Sequence, residues 1–180
     1  MTSKKLEEGL EEILESPSDE GRVALIVARP AQNSREALAE ANLDCVVGLV
    51  GDTWAERGGA RGRQGSPHPD RQLTVMNARA AQLVAGQAER RQLAGDQLYV
   101  DLDLSQKNLP PGTRLSVGSA VIEVTKEPHL GCKKFAERFG QEAVRFFNSK
   151  LGQEARLRGL NARVITQGRV CVGDTIRKMP

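Results

Sequence analysis

The sequence predicts a mainly β protein, a closed or partly closed β-barrel with peripheral α-helices. Many short segments rich in β-branched residues are separated by glycine and proline turns, as is typical of barrels. Strands and helices do not alternate regularly along the chain, which argues against a doubly wound parallel sheet. Aromatic residues make up only 3% of the 180 residues, so we expect a mostly aliphatic core.

The N-terminus predicts a short acidic helix ahead of the barrel. Apolar residues at helical spacing indicate a helix over 3–15, which Ser16-Pro17 ends. We interpret residues 1–20 as an N-terminal helical appendage and residues 21–178 as the barrel domain.

Residues 22–75 are predicted to form the first strands of the barrel and a long loop. The run RVALIVA at 22–28 predicts a buried strand. A short helix is expected over 33–40 and a further strand over 43–47. Residues 51–70 are rich in Gly, Arg and Pro and have no periodicity, which predicts a long loop. A strand is expected at 72–75.

The remaining segments complete the predicted barrel. A helix near 80–84 ends at about Gly86, and strands are expected at 98–104, 114–117 and 120–125.

The C-terminal third is predicted to contain one long helix followed by strands. The helix spans 134–151 and carries all four phenylalanines, which we interpret as anchors to the barrel. A strand at 162–166, a tight turn at Gln167-Gly168 and one or two further strands then end the domain.

Composition limits the classes of function. A net charge of +3 with so few aromatic residues argues against nucleic-acid binding. No apolar run is long enough to cross a membrane, and the acidic N-terminus lacks the features of a signal peptide. Three cysteines without a CxxC pair suit a reducing compartment, so we expect a cytoplasmic protein.

Cys132 is the cysteine for which the sequence indicates chemistry. It follows a predicted strand, precedes the phenylalanine helix and is followed by Lys133 and Lys134. A helix N-terminus and ammonium groups both favour the thiolate, the form that attacks sulfur or binds a soft metal. The alternative is an inert thiol in a surface loop. Cys45 and Cys171 lie among apolar strand residues, and we expect both to be small core residues.

His129 lies three residues before Cys132 and is a candidate base or ligand, although a lone histidine is more commonly a hydrogen-bonding surface residue. His68 is expected to be solvated.

Basic residues form two groups that could bind an anion. Arg158 and Arg163 lie at the entrance to a predicted strand, where arginines can form a fork for a phosphate. Arg71 belongs to a second group with three arginines of the long loop, Arg57, Arg61 and Arg63. Most other basic residues of the C-terminal third are expected to line a solvated helix face.

Four stretches together resemble a known family, the MOSC domains named after molybdenum cofactor sulfurases. They are GLVGDTWAERG, NLPPGTRLSVGSAVIEVTKEPHLGCKKF, RLRGLNARV and GRVCVGD, which occur in this order within residues 21–178. The resemblance implies a β-barrel whose motif cysteine corresponds to Cys132. The chain has no histidine after Gly51-Asp52 and no His-Gly-Gly, both of which many members carry.

The resemblance also implies a role with the molybdenum cofactor, molybdopterin. Cys132 would be the molybdenum ligand and, with His129, a catalytic residue. The cofactor-binding residues implied are Lys133, Lys134, Arg71, Asn108, Arg158, Asn161 and Arg163. Pyridoxal phosphate, which accompanies the fused sulfurases, is not expected, because no lysine is placed to form a Schiff base.

Three functions are left open by the sequence. The first is an oxidoreductase that reduces N-hydroxylated compounds and receives electrons from a donor protein. The second is a sulfur or cofactor carrier that uses a Cys132 persulfide supplied by a sulfur-donor protein. The third is a barrel with a structural role and an inert Cys132.

Overall fold

Seven strands close into a barrel in the computed structural model, which describes residues 3–56 and 67–180. The described residues form eleven strands in all, in the barrel and outside it. They are β1 (Glu20–Ala28), β2 (Glu36–Leu38), β3 (Glu40–Asp44), β4 (Gly48–Leu49), β5 (Leu73–Asn77), β6 (Leu98–Asp101), β7 (Arg114–Val117), β8 (Ala120–Val124), β9 (Leu160–Thr166), β10 (Gly168–Cys171) and β11 (Thr175–Lys178). The helices are α1 (Ser3–Leu14), α2 (Ala78–Ala85), α3 (Lys133–Phe139), α4 (Gln141–Phe147) and α5 (Lys150–Glu154), with 3-10 helices at Pro69–Arg71 and Ala88–Ala94.

The barrel order is β11-β7-β8-β9-β5-β6-β1, and pairing of β1 with β11 closes it. β2 extends the sheet beyond β1, and β10, β3 and β4 form a separate small sheet. β5 and β6 are parallel, joined through α2, whereas the other pairs are antiparallel. The predicted mainly β fold with peripheral helices is therefore confirmed.

The hydrophobic core of the barrel is formed by aliphatic side chains among the described residues. Leu73, Leu98, Leu115 and Ile122 are fully buried there, one from each of four strands. Truncating such a residue to alanine costs about 2–5 kcal/mol, because it removes apolar contacts and leaves a cavity. The low aromatic content therefore suits this interior.

A second core lies outside the barrel, between its wall and the helices. Phe135, Phe139 and Phe147 are buried in it, as the sequence predicts for the phenylalanine stripe. Leu6 and Ile13 of α1 are buried in the same core, and α1 contacts α2 and α4. The predicted N-terminal helix is thus present and shares a core with the rest of the chain.

The predicted helix over 33–40 is wrong. Asn33 has a positive φ of 65°, which turns the chain, and residues 36–38 form β2 against β1. Backbone hydrogen bonds to the free edge of β1 thus outweigh a weak local helical preference.

The predicted single helix over 134–151 is three short helices. Gly140 separates α3 from α4 with φ 91° and ψ 162°, a conformation essentially restricted to glycine. Ser149 begins α5, and its hydroxyl accepts a hydrogen bond from the Gly152 amide. These breaks fold the phenylalanine stripe around the second core.

The predicted turn at Gln167-Gly168 does not form a hairpin, because β10 pairs with β3 and not with β9. The expected core positions of two cysteines are also wrong. Cys45 is exposed in the turn after β3, where the Asp44 carboxylate accepts hydrogen bonds from two amides and ends the strand. Cys171 is half-buried in β10.

The structure covers the expected long loop only in part. Residues 57–66 of the expected long loop, with Arg57, Arg61 and Arg63, lie outside the described residues. No helix in the described part of the chain has the length and hydropathy needed to cross a membrane.

Candidate functional site

The segment between β8 and α3 carries both His129 and Cys132, and hydrogen bonds from β9 position its first half. The Asn161 side-chain amide donates to the carbonyls of Glu127 and Pro128, at 3.1 and 3.2 Å. The Thr125 hydroxyl donates to the Asp70 carbonyl at 2.6 Å. Asn161 thus holds the backbone of the segment.

Arg71 holds the same segment through a side chain. Its Nη2 and Nε lie 2.7 and 3.1 Å from Oε2 of Glu127. The contact lowers the pKa of Glu127, which therefore stays ionised near neutral pH. His68 Nε2 lies 4.0 Å from the other carboxylate oxygen, Oε1.

Asn148, at the end of α4, fixes the segment immediately before Cys132. Its Oδ1 accepts from the Gly131 amide at 2.8 Å, and its Nδ2 donates to the Gly131 carbonyl at 3.0 Å. Cys132 then occupies the N-cap of α3, where its carbonyl accepts from the Ala136 amide. Its side chain is exposed and makes no capping hydrogen bond, so the thiol is accessible.

His129 points inward to a buried ion pair. Its Nε2 lies 2.7 Å from Oδ1 of Asp96, whose Oδ2 accepts from Arg158 Nη1 at 2.5 Å. Arg158 Nη2 donates to the Ala94 carbonyl, and the guanidinium stacks 4.9 Å from the centre of the Phe135 ring. Asp96, Arg158 and His129 therefore connect the barrel wall to the Cys132 segment and to α3.

Burial and neighbouring groups shift the pKa values of both Asp96 and His129. Burial alone would raise the pKa of Asp96, but the charge of Arg158 and the contact with His129 outweigh it and lower the pKa. Burial and the positive charge of Arg158 lower the pKa of His129 more than Asp96 raises it. The favoured state is an ionised Asp96 beside a neutral His129.

Arginines also fix the loop that contains Asp96. Three consecutive carbonyls of this loop each accept a hydrogen bond from a different arginine, and the Tyr99 hydroxyl accepts from the amides of Gly95 and Asp96. The three pairs are Arg138 to Leu93, Arg158 to Ala94 and Arg29 to Gly95.

Arg29 and Asp52 build the opposite side of the site. Arg29 donates from Nε to Oδ2 of Asp52 at 2.6 Å and from Nη2 to Oδ1 at 3.0 Å. Asp52 Oδ1 also accepts from the Trp54 amide, and the Thr53 hydroxyl donates to the Arg29 carbonyl. This buried contact ties the turn of residues 51–56 to the end of β1.

A polar cleft lies where this turn, the β1–β2 connection and α3 meet. Its volume is about 450 Å³. Among the described residues it is lined by Gln32, Asn33, Arg35, Thr53, Glu56 and Lys134. Since Lys134 is the second residue after Cys132, we refer to this feature as the Lys134 cleft.

The structure does not bring the other implied cofactor residues into the Lys134 cleft. Arg158 is buried on Asp96, Asn161 and Arg71 hold the 127–128 backbone and Glu127, and Arg163 pairs with Glu123 and Asp70 on the outside of β9. Asn108 donates to the carbonyls of Ser18 and Asp103 and accepts from Lys178.

Sequence reasoning missed three residues that shape the site. Asp96, Arg29 and Asn148 all act through partners far away in the chain, and no local pattern marks them. Asp52 lies in one of the stretches that resemble the family, GLVGDTWAERG, but its ion pair with Arg29 was not predicted.

Comparison with known proteins shows the family. The closed barrel and its helices define a small barrel domain. The sequence model of the MOSC domain family matches residues 53–177. The chain belongs to the MOSC domain family.

Solved structures support the same fold. The YuaD protein from Bacillus subtilis is 18% identical, with a TM-score of 0.63 over 87% of this chain and 94% of that one. YiiM from Escherichia coli is 20% identical, with a TM-score of 0.57 over 88% of this chain and 70% of its own. YiiM from Geobacillus stearothermophilus is 15% identical, with a TM-score of 0.60 over 89% and 75%. No curated protein matches the sequence.

Proposed function

We propose that this MOSC protein binds the molybdenum cofactor and reduces N-hydroxylated compounds, with Cys132 as the protein ligand of molybdenum. The observation that carries the proposal is the exposed Cys132 thiol at the start of α3, two residues before the lysine that lines the polar cleft. Family membership supports it, because MOSC domains are associated with this cofactor.

The residues present fit the cofactor. A thiolate is a soft ligand suited to such a metal. Among the described residues no group of three or more His, Cys, Asp or Glu side chains could hold a metal ion, so a metal at Cys132 has to bring other ligands with it. A pterin cofactor does so, and its phosphate suits the ammonium groups of Lys133 and Lys134. When bound, the cofactor would supply the redox centre.

The chain's own residues position this ligand. Asn148 fixes the Gly131 backbone, and hence the direction in which Cys132 leaves the segment. His129 and Arg158 act through Asp96 to hold the segment against the barrel, so we propose positioning roles for both. An electron-donor protein and a cytoplasmic location belong to the same proposal.

A sulfur or cofactor carrier is the second candidate. The observation that favours it is the exposed Cys132 side chain, which has no hydrogen-bond partner at the helix start. The Cys132 thiolate would attack the outer sulfur of a donor protein's persulfide, form a Cys132 persulfide and release the donor thiolate. No turnover of another substrate is then needed.

Elemental and pterin analysis of purified protein tests the first proposal. The protein is produced in a host that makes the cofactor, as wild type, Cys132→Ser and Cys45→Ser, the last being a matched exposed cysteine. Molybdenum and pterin in the wild type and Cys45→Ser, with background levels in Cys132→Ser, are the expected result. Reduction of an N-hydroxylated substrate should be lost in the same variant.

Other outcomes separate the alternatives. If mass spectrometry finds a persulfide on Cys132 and the protein contains neither molybdenum nor pterin, the carrier function would be favoured over the reductase function. A wild type with neither metal, pterin nor persulfide would leave the barrel with a structural role. Unchanged reductase activity in Cys132→Ser would refute the role of Cys132.

A further inference from the structure

A second cavity lies along the 125–130 segment, apart from the Lys134 cleft. Its volume is about 240 Å³. Its walls come from that segment, from α5 and from the residues that lead into β9. We call it the Arg156 cavity, after the guanidinium that lines it. It shares no lining residue with the Lys134 cleft.

Among the described residues, no carboxylate neutralises the Arg156 guanidinium, which lines this cavity. Its Nη1 donates to the Leu109 carbonyl at 2.6 Å and, more distantly, to the Leu104 carbonyl at 3.4 Å. Within the described residues, its Nε and Nη2 form no hydrogen bond, and no Asp or Glu forms an ion pair with it. Burial lowers the pKa of Arg156, but a guanidinium stays charged in proteins.

The backbone of Arg156 is unusual as well. Its φ is +47°, a left-handed conformation that is uncommon for residues other than glycine. Hydrogen bonds hold it there, from the Arg156 amide to the Gln153 carbonyl and from the Gly159 amide to the Arg156 carbonyl. The chain thus holds a strained residue whose side chain is half-buried beside a cavity.

The other charged groups at the cavity leave a modest positive excess. Lys126 is exposed at its edge and adds a second cation. Glu127 is paired with Arg71, so its charge is compensated. His129 is neutral because burial and Arg158 lower its pKa, and its Nε2 is bound to Asp96.

Apolar side chains form the rest of the lining. Leu130, Pro111 and Pro128 contribute exposed apolar surface, whereas Phe147 and Leu160 are buried in the wall. A planar guanidinium edge matches a carboxylate through two parallel hydrogen bonds. The two cations attract an anion, and the apolar part of the lining suits an anion with an organic body.

We infer that the Arg156 cavity binds a small organic monocarboxylate, with the carboxylate on the Arg156 guanidinium and the apolar body against Leu130, Pro111 and Pro128. This site does not include Cys132. Because its lining includes His129 and Leu130, an occupant would contact the segment that leads to Cys132.

Calorimetric titration with benzoate tests the inference, with benzamide as its uncharged counterpart. The full chain should bind one benzoate and bind benzamide far more weakly. Arg156→Gln should weaken benzoate binding by about tenfold, because a charged hydrogen-bonding partner is lost. Arg163→Gln is the matched control, since Arg163 pairs with Glu123 outside the cavity, and it should bind like the wild type.

Arg156→Gln could fail to fold, since Arg156 also donates to the carbonyls of Leu104 and Leu109. Two further variants keep the test valid in that case. Lys126→Gln removes an exposed charge that makes no hydrogen bond to the described residues, and should weaken binding by about threefold. Gln153→Glu adds a negative charge to the lining and should also weaken it.

Three results would overturn the inference. They are no benzoate binding to the wild type, equal binding of benzoate and benzamide, and unchanged affinity in Lys126→Gln and Gln153→Glu. Inorganic phosphate bound as tightly as benzoate would overturn the assignment of an organic monocarboxylate.

Discussion

Arg158 and Asp96 form an ion pair that is buried on both sides, with the Asp96 side chain fully buried and that of Arg158 only 6% exposed. The pair lies beneath α3, with the guanidinium against the Phe135 ring. The Nε of Arg158 is buried without a hydrogen-bond partner among the described residues. Such a pair is costly to break, because either partner alone would be an uncompensated buried charge.

We expect Arg158→Met to lower the free energy of unfolding by about 3–5 kcal/mol, since it leaves the Asp96 carboxylate buried with only His129 beside it. Urea denaturation near neutral pH measures the effect. Arg163→Met is the control, because Arg163 pairs with Glu123 at the surface and should contribute less than about 1 kcal/mol. Similar losses in both variants would show that burial of the Arg158 pair is not decisive.

The same cluster predicts a loss of stability in mild acid. The pKa of His129 is lowered in the fold, so below the ordinary value of about 6.5 the unfolded chain binds a proton that the folded chain resists. Stability is therefore fully present above that pH and decreases as the pH falls below it. Asp96, whose pKa is also lowered, adds a further loss at lower pH, as its carboxylate is protonated.

Urea denaturation at several pH values between neutrality and mild acid measures this dependence. His129→Gln keeps a polar side chain but cannot be protonated, so its unfolding free energy should vary less over the same range. His68→Gln is the control, because His68 lies 4.0 Å from Glu127 and outside the buried cluster. A wild type whose stability rises on acidification would contradict the expected direction of the effect.

The barrel strands were predictable because each carries its signal locally. The runs at 22–28 and 114–125 alternate or concentrate β-branched residues between turns, so their pairing partners did not need to be known. The sequence could not show that β10 leaves β9 for β3, because such pairing depends on residues more than 100 positions away. Cys171 was misplaced for the same reason, whereas Cys45 was misplaced because Asp44 ends β3 in a turn.

The site was predictable only where one short segment contains it. His129, Cys132 and the two lysines are neighbours in the chain, and their position at the start of a predicted helix indicated a site. Arg158 looked like an available phosphate ligand, whereas its partner Asp96 lies 62 residues earlier and buries it. A single aspartate between a glycine and a glutamine has no local feature that reveals such a partner.

The break in the predicted long helix had a local signal that the phenylalanine periodicity outweighed. Gly140 adopts φ 91° and ψ 162°, and an added Cβ would meet nothing within 4 Å. Gly140→Ala should therefore destabilise the protein through backbone strain alone, by about 1–3 kcal/mol. Thermal or urea unfolding tests this against Gln141→Ala, an exposed neighbour. Equal stabilities would mean that the α3–α4 junction tolerates an ordinary backbone conformation.

Thiol exposure gives a direct test of how the cysteines are placed. Cys45 and Cys132 are exposed, whereas Cys171 is half-buried in β10 with its sulfur 3.8 Å from a Glu40 carboxylate oxygen. A native-state reaction with an aromatic disulfide reagent should show two fast thiols and one slower thiol, because reagent access limits the third.

Single variants assign these thiol phases. Cys132→Ser and Cys45→Ser should each remove one fast phase, and Cys171→Ser should remove the slow one. In urea all three thiols should react alike, which controls for the count. Loss of the slow phase in Cys132→Ser would mean that the start of α3 is covered, and the accessible thiol on which both proposed functions depend would then be absent.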